Sequence, residues 1–281
     1  MKFLLSICIP TYNRKQRIVE SVYKLMSAGI EELEICILDN ASTDGTYEAL
    51  CDIHDYHFKL IRNDTNIGPF YNHCKALFAG KGKYVVVVMD RDVIDICKLK
   101  ILLKYLSTLK YDAILTNPYF IKDRMLLNKT NSCYPWAIGD HPSFIIFKRD
   151  ILIKDWSSDK LYNLTIIDGE YVLSWTTLVL TKSYWDKRVI TIPDLNWVKE
   201  NTLGTVPSYA GRRNGHQLFY MPQSGVKRLN RLCNLLDNKV ISKRDRYTRN
   251  MAVYAAELLR STIMVYDITR PNSDMRIRYG F

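Results

Sequence analysis

Residues 83–92 read KYVVVVMDRD, an apolar run that ends in two aspartates on either side of an arginine. A short, uninterrupted apolar run predicts a strand buried on both faces, as in the centre of a parallel sheet. Asp90 and Asp92 follow this strand on alternate residues, and their hard carboxylate oxygens suit Mg²⁺ or Mn²⁺ bound partly by phosphate. Taken alone, the triplet is better explained by a solvated turn at the strand end, because such triplets are common by chance.

Short strand-like runs alternate with helical patterns on both sides of this strand, which predicts a mostly parallel sheet flanked by helices. Before it, the predicted strands are Phe3–Ile9, Leu33–Leu38 and Phe58–Ile61, and the predicted helices are Arg14–Ala28, Asp44–His54 and Pro69–Phe78. After it, the predicted helices are Ile96–Leu109 and Leu161–Thr181, and the predicted strands are Asp112–Thr116, Ser143–Phe147 and Val189–Ile192. The fold class is therefore α/β and Rossmann-like.

The C-terminal part of the chain has a different character. Residues 193–223 are rich in Gly, Pro, Asn and Ser, which indicates a long functional loop. Two helices are predicted after it, and residues 226–281 hold 12 Lys and Arg against five Asp and Glu. We expect an α/β domain over residues 1–225 and a basic helical extension over residues 226–281. An anionic partner and a merely solubilising face explain that charge equally well.

The composition of the 281-residue chain is that of a folded protein, with 47% apolar and 25% charged residues and a formal net charge of +11. No apolar run reaches the roughly 18–20 residues of a spanning helix, and the apolar run near the N-terminus is too short for a signal peptide. The seven cysteines form no C-x-x-C pair and several lie in apolar strands, as buried thiols do in a reducing compartment. We therefore expect a cytoplasmic protein. The spacing of the cysteines gives little support for a zinc site.

Polar side chains fill the loops that follow four of the predicted strands, where open α/β sheets bind ligands. Taken singly, each has an ordinary explanation. Tyr12 suits packing, Asp39 suits the start of a turn, and residues 66–68 (NIG) suit a turn before a helix. Only their order along the chain makes them informative.

Together and in order, the four loop motifs resemble the inverting family 2 glycosyltransferases with the GT-A fold. The motifs are SICIPTYNR (residues 6–14), ILDNASTDGT (37–46), NIG (66–68) and MDRD (89–92). The resemblance covers about residues 1–120 and implies a donor-binding half there and an acceptor-binding half over about 121–225. It also implies metal-dependent transfer, with Mn²⁺ or Mg²⁺, of a sugar from a UDP- or dTDP-sugar to a hydroxyl group.

The resemblance implies nine donor-binding residues in these motifs, namely Pro10, Thr11, Tyr12, Asn13, Asp39, Asn66, Gly68, Asp90 and Arg91. Tyr12 would stack on the base, and Asp39 would accept the N3–H of uracil or thymine. Asp90 would bond the ribose, and Asp92 would hold the metal on the diphosphate. Arg91 departs from the acidic or small residue usual at this position, which leaves the metal stoichiometry open, and its guanidinium suits a phosphate contact.

Inverting transfer also needs a carboxylate that removes the proton of the acceptor hydroxyl. The matching segment is TIIDGEY (residues 165–171), where two acids stand in an otherwise apolar run and are costly to bury without a role. In the family the two acids are commonly adjacent, whereas Gly169 separates them here. Asp168 is favoured as the base and Glu170 is the alternative, while an acid at a helix start is the competing explanation for both.

A cationic segment over residues 207–221 is a candidate lid over the donor. Arg212 and Arg213 would contact the diphosphate and His216 the metal, although incidental charges on an exposed loop explain the segment as well. For the acceptor side, His141 and the tryptophans of the second half are candidates for a sugar platform, and core packing is the commoner fate of a tryptophan.

The implied acceptor is a lipid-linked saccharide in surface polysaccharide synthesis, with residues 226–281 meeting the anionic inner face of the membrane. Helix packing and oligomer contact compete for the same residues, and the oligomeric state stays open. One alternative function is a nucleotidyltransferase, whose glycine-rich first loop is missing here. The other is a non-catalytic nucleic-acid-binding protein, and none of its usual motifs is present, so no nucleic acid is expected.

Overall fold

A computed structural model of the chain describes residues 3–108, 110–116, 125–127, 141–167, 170–171, 175–184 and 187–199. The segment 207–221 with Arg212, Arg213 and His216, the extension 226–281 and Asp168 lie outside these residues. In the part of the chain that is described, no helix has the length and apolar character needed to cross a bilayer.

The centre of the fold is an eight-stranded sheet. In spatial order its strands are β3 (Phe58–Arg62), β2 (Leu33–Asp39), β1 (Leu5–Thr11), β4 (Tyr84–Val87), β8 (Ile145–Lys148), β6 (Ala113–Thr116), β11 (Val189–Ile192) and β7 (Met125–Leu127). The first four are mutually parallel, as predicted, whereas β8 runs antiparallel to both of its neighbours. The sheet therefore combines a parallel N-terminal half with a mixed C-terminal half.

Among the described residues, six helices and two small two-stranded sheets lie around the central sheet. The helices are α1 (Lys15–Ser27), α2 (Pro69–Leu77), α3 (Ile96–Thr108), α4 (Arg149–Asp155), α5 (Ser158–Thr165) and α6 (Trp175–Ser183). These two antiparallel sheets pair β9 (Ile166–Ile167) with β10 (Glu170–Tyr171) and β5 (Val93–Ile94) with β12 (Val198–Lys199). Because side chains alternate along a strand, Ile7 and Ile9 of β1 join an apolar layer with α1 and α3, and Cys8 joins the opposite layer with α2.

The chain leaves β1 toward β2 on one side, and β4 pairs with β1 on the other side. The strand order thus reverses at β1, and the crevice at such a switch point, outside the carboxyl ends of the strands, is where open α/β sheets bind ligands. Since β1, β2, β3 and β4 are parallel, the loops that follow them meet at this one edge. The fold therefore brings the four motifs together.

The predicted helix over Asp44–His54 is wrong, because this segment forms turns. The carboxylate of Asp44 instead accepts the backbone N–H of Thr46 at 3.0 Å and that of Lys15 at 3.0 Å. Lys15 is the first residue of α1, so Asp44 satisfies an unpaired amide at the start of a different helix. Hydrogen bonding of these backbone and side-chain groups favours the turn over a helix.

The predicted continuous helix over Leu161–Thr181 is also wrong. Helix α5 ends at Thr165, and Ile166 is already extended with φ −103° and ψ 137°. The two β-branched isoleucines that follow form β9 and pair with β10, and α6 begins only at Trp175. The strand predicted over Ser143–Phe147 begins two residues later, because a 3₁₀ turn opened by Pro142 precedes it.

Candidate active site

The loops after β1 and β4 meet directly at the switch point. Thr11, the last residue of β1, is buried, and its Oγ1 donates to Oδ2 of Asp90 at 3.1 Å. Burial raises the pKa of the Asp90 carboxyl, and the Thr11 hydrogen bond and the charges of Arg14 and Arg91 oppose that shift. The sheet therefore holds a partly desolvated carboxyl at the switch point.

Asp92 lies deeper, with 5% of its surface exposed. Ser143 Oγ donates to its Oδ2 at 2.6 Å, and Nε2 of His141 lies 3.7 Å from the same oxygen. Ser143 and His141 belong to the segment before β8, which is antiparallel to β4 and so starts at the carboxyl edge of β4. Sequence analysis did not identify Ser143, and it identified His141 only as an acceptor-side candidate.

These side chains suit a divalent metal held partly by a ligand. Asp90 and Asp92 offer carboxylate oxygens, and His141 offers an imidazole nitrogen beside them. Within the described residues, no group of three or more His, Cys, Asp or Glu side chains forms a complete metal cage. Mg²⁺ and Mn²⁺ are commonly bound by one or two carboxylates together with phosphate oxygens, so the donor set fits such an ion.

Asp39 ends β2 and is fully buried. Its two oxygens accept the backbone N–H of Ser42 at 3.3 and 3.2 Å, and Nε of Arg62 lies 3.5 Å from Oδ2. A carboxylate offers roughly four acceptor positions, so these partners compensate its burial and leave capacity for a donor on a ligand. Asp39 is thus a fixed hydrogen-bond acceptor beside the switch point.

The first two loops are tied to each other through Asn13. Its backbone N–H donates to Ser42 Oγ at 2.9 Å, and its Oδ1 accepts the N–H of Thr43 at 2.8 Å. Asn13 and Ala41 both have positive φ, 52° and 60°, a conformation that is uncommon outside glycine, although asparagine adopts it more readily than most residues. Between these tied loops Tyr12 keeps 42% of its surface exposed, which leaves its ring available for stacking. Pro10 is buried within β1.

An amide network that sequence reasoning missed supports the third loop. The Nδ2 of Asn40 donates to Oδ1 of Asn66 at 2.8 Å, and its own Oδ1 accepts Nδ2 of Asn63 at 3.0 Å. Asn66 Oδ1 also accepts the N–H of Gly68 at 2.9 Å. Gly68 then caps α2 with a φ of 83°, a backbone conformation that is unfavourable for residues other than glycine. Asn66 thus stabilises the loop, and Asn40 connects the second loop to the third.

Helix α2 carries a buried histidine near Arg91, the residue between Asp90 and Asp92. His73 is 9% exposed, and burial, together with the nearby charge of Arg91, lowers its pKa to about 4. The imidazole is therefore neutral at physiological pH. Its position next to Arg91 makes it part of the surroundings of the site.

The structure describes the predicted base segment only in part. The backbone of Glu170 lies in β10, in register with Ile167 of β9, and Asp168 lies outside the described residues. The assignment of the base to Asp168 or Glu170 stays a prediction. Among the predicted acceptor-side residues, Trp175 and Trp197 are buried in the core, and Trp197 Nε1 donates to Thr116 Oγ1 at 3.0 Å.

Comparison with known sequences gives relatives of one kind. The abequosyltransferase RfbV of Salmonella typhimurium is 39% identical over 111 residues, which are 37% of this chain and 33% of that protein. The UDP-Glc:alpha-D-GlcNAc-diphosphoundecaprenol beta-1,3-glucosyltransferase WfaP of Escherichia coli is 26% identical over 176 residues, 63% of this chain and 70% of that protein. The match thus spans about a third of the length of RfbV.

Solved structures show the same fold. Residues 1–349 of TarS from S. aureus in complex with UDP superpose with a TM-score of 0.65 at 17% identity, over 96% of this chain and 74% of that one. The mannosyltransferase PcManGT of Pyrobaculum calidifontis, in complex with GDP-Man and Mn²⁺, gives a TM-score of 0.58 at 17% identity over 99% and 78%. These likenesses confirm the predicted GT-A fold.

The sequence pattern of one family, described as glycosyl transferase family 2, matches residues 6–167. This range holds more than half of the chain and includes all four loop motifs and the segment 141–144 beside Asp92. The family differs from both alternatives considered from the sequence, a nucleotidyltransferase and a nucleic-acid-binding protein, and neither is favoured. The chain therefore belongs to glycosyl transferase family 2.

Proposed function

We propose that the chain is a metal-dependent, inverting glycosyltransferase. It takes a sugar from a UDP- or dTDP-sugar and passes it to a hydroxyl of a lipid-linked saccharide in surface polysaccharide synthesis. The observation that carries the proposal is the convergence of Thr11, Asp39, Asp90 and Asp92 at the switch point of the sheet. The names of relatives support the substrates: that of WfaP specifies a UDP-Glc donor and a diphosphoundecaprenol acceptor, and TarS was solved with UDP.

The donor would bind across the crevice between β1 and β4. In this proposal Tyr12 stacks on the base and Asp39 accepts the base N3–H, while Asp90 accepts a ribose hydroxyl. Asp92, with His141 beside it, would hold Mn²⁺ or Mg²⁺, and the bound ion would neutralise the charge of the leaving diphosphate. Arg91 adds a second positive charge on the same loop. These residues fix the donor so that its anomeric carbon faces the acceptor half.

The acceptor hydroxyl must lose its proton as it attacks that carbon from the face opposite the diphosphate. Asp168 or Glu170 would accept this proton, because they are the two acids of the segment TIIDGEY (residues 165–171). Arg212, Arg213 and His216 would complete the diphosphate and metal contacts from a loop that closes over the donor. Loop closure excludes water and so protects the sugar donor from hydrolysis.

Calorimetric titration with UDP, with and without Mn²⁺, tests the donor site. We expect the wild type to bind UDP at least about tenfold more tightly when Mn²⁺ is present, and Asp92→Asn to lose this gain, because an amide is a poorer ligand than a carboxylate. The variant should keep the metal-independent part of UDP binding. Absence of UDP and dTDP binding by the wild type under any metal would refute the proposed function and leave the fold intact.

The basic extension 226–281 gives a second test, of the proposed location on an anionic membrane surface. Each Lys or Arg near such a surface contributes about 1 kcal/mol of attraction, which salt weakens. We expect the full chain to co-sediment with vesicles of anionic lipid at low salt, and a chain that ends at residue 225 to stay in solution. If both chains co-sediment equally, the membrane contact lies outside residues 226–281. If neither chain sediments, the proposed membrane contact is wrong.

A further inference from the structure

The hydroxyl group of one buried serine forms hydrogen bonds to both ends of the turn that carries Asp90, Arg91 and Asp92. Ser143 is fully buried in the 3₁₀ turn before β8. Its Oγ accepts the backbone N–H of Met89 at 3.0 Å and donates to Oδ2 of Asp92 at 2.6 Å. The turn is closed by the N–H of Asp92, which donates to the carbonyl of Met89 at 3.0 Å. Ser143 thus fixes the start and the end of one tight loop.

We propose that Ser143 is the positioning residue of the metal-binding carboxylate. This inference rests on one part of the proposed function, the role of Asp92 as a metal ligand. By its hydrogen bond to Oδ2, the hydroxyl fixes the rotation of the Asp92 carboxylate. This rotation would determine the direction from which the carboxylate binds the metal on the diphosphate. Ser143 belongs to the second half of the domain, so the same bond couples the acceptor-binding half to the donor site.

The chemistry supports a positioning role over a merely structural one. Hydrogen bonds to a carboxylate are shorter and roughly twice as strong as neutral ones, so the bond from Ser143 restrains the rotation of the Asp92 carboxylate. Partners that orient metal-binding side chains typically contribute 10–100-fold to metal affinity. The same segment brings His141 within 3.7 Å of the same oxygen, so the short run 141–143 supplies two polar neighbours of Oδ2.

The chain contains a matched control. Ser6 is also fully buried, and its Oγ donates to the carboxylate of Glu34 at 2.5 Å and accepts the backbone N–H of Gly82 at 2.8 Å. The two serines therefore share burial and hydrogen-bond pattern. Ser6 lies at the opposite end of β1 from Thr11, so its bonds support the fold away from the site.

The experiment measures Mn²⁺ affinity at saturating UDP for the full chain and its Ser143→Ala and Ser6→Ala variants. Electron paramagnetic resonance of free Mn²⁺ gives the affinity at a temperature where thermal melting shows each protein folded. We expect Ser143→Ala to weaken Mn²⁺ binding about 10–100-fold and Ser6→Ala to leave it within about twofold of wild type. Ser143→Thr, which keeps the hydroxyl, should recover most of the affinity.

Two outcomes overturn the positioning role. One is wild-type Mn²⁺ affinity in Ser143→Ala, and the other is an equal loss in Ser6→Ala, which would mean that any buried serine has the same effect. If the alanine variant does not fold, Ser143→Cys keeps the volume and weakens the donor, and it should show the same loss. Loss of Mn²⁺ binding in Asp92→Asn but not at Ser143 refutes this inference alone. An unaffected Asp92→Asn refutes the proposed metal site and the inference together.

Discussion

Either Asp168→Asn or Glu170→Gln is expected to lose about 10²–10⁴-fold in kcat and to bind UDP like the wild type. Inverting transfer needs one carboxylate to accept the proton of the acceptor hydroxyl, and an amide cannot accept it. The proposed donor site lies on the loops after β1, β2, β3 and β4, whereas Glu170 lies in β10 and Asp168 precedes it by two residues in the sequence. Catalysis should therefore fall without any loss of donor affinity.

The measurement is the rate of sugar transfer to a synthetic lipid-linked acceptor, with UDP affinity and melting temperature as controls. The two isosteric variants separate the candidates, since only the one that removes the base should also abolish the acid limb of the pH–rate profile. We expect that variant to be Asp168→Asn. Full activity in both would place the base elsewhere in the chain, and equal losses would contradict a single base.

Much of the candidate site was predictable because its signals are local. Residues 83–92 contain both the apolar run that predicts a buried strand and the polar residues Asp90, Arg91 and Asp92 that follow it. The other loop motifs follow predicted strands in the same way. Parallel strands bring their carboxyl ends to one edge, so strand order along the chain was sufficient to bring Thr11, Asp39 and Asp90 together.

The errors arise where a distant partner decides the local structure. The segment after Asp44 has a helical pattern, but the Asp44 carboxylate bonds the first amide of α1, 29 residues earlier. The Leu161–Thr181 pattern is apolar enough for one buried helix, yet the pairing of β9 with β10 interrupts it. Ser143 meets Asp92 across 51 residues of sequence, and only the antiparallel direction of β8 brings them together.

His73 makes the folded state sensitive to acid. Its pKa is lowered to about 4, against about 6.5 in an unfolded chain, because burial and the charge of Arg91 disfavour the imidazolium. Between these two values the unfolded state binds a proton that the folded state does not. The contribution of His73 to stability is therefore fully present above about pH 6.5 and is lost as the pH falls toward about 4.

Replacement of His73 by Gln, which stays neutral, should remove this part of the pH dependence. Between about pH 7.5 and about pH 5, the free energy of unfolding of the wild type should fall by about 2 kcal/mol more than that of His73→Gln. Urea unfolding at the two pH values gives the difference, and any constant effect of the substitution cancels. The exposed His54, changed to Gln, controls for the loss of an imidazole as such.

The same comparison separates the two causes of the lowered pKa. Burial is the larger cause and the charge of Arg91 the smaller, so Arg91→Gln should reduce the acid sensitivity of the wild type only in part. Parallel pH dependence in wild type and His73→Gln would mean that the imidazole is hydrated or paired in solution. The predicted result would mean that the His73 imidazole stays dry and neutral beside Arg91. A dry, neutral neighbour would strengthen the attraction between Arg91 and the diphosphate of the proposed donor.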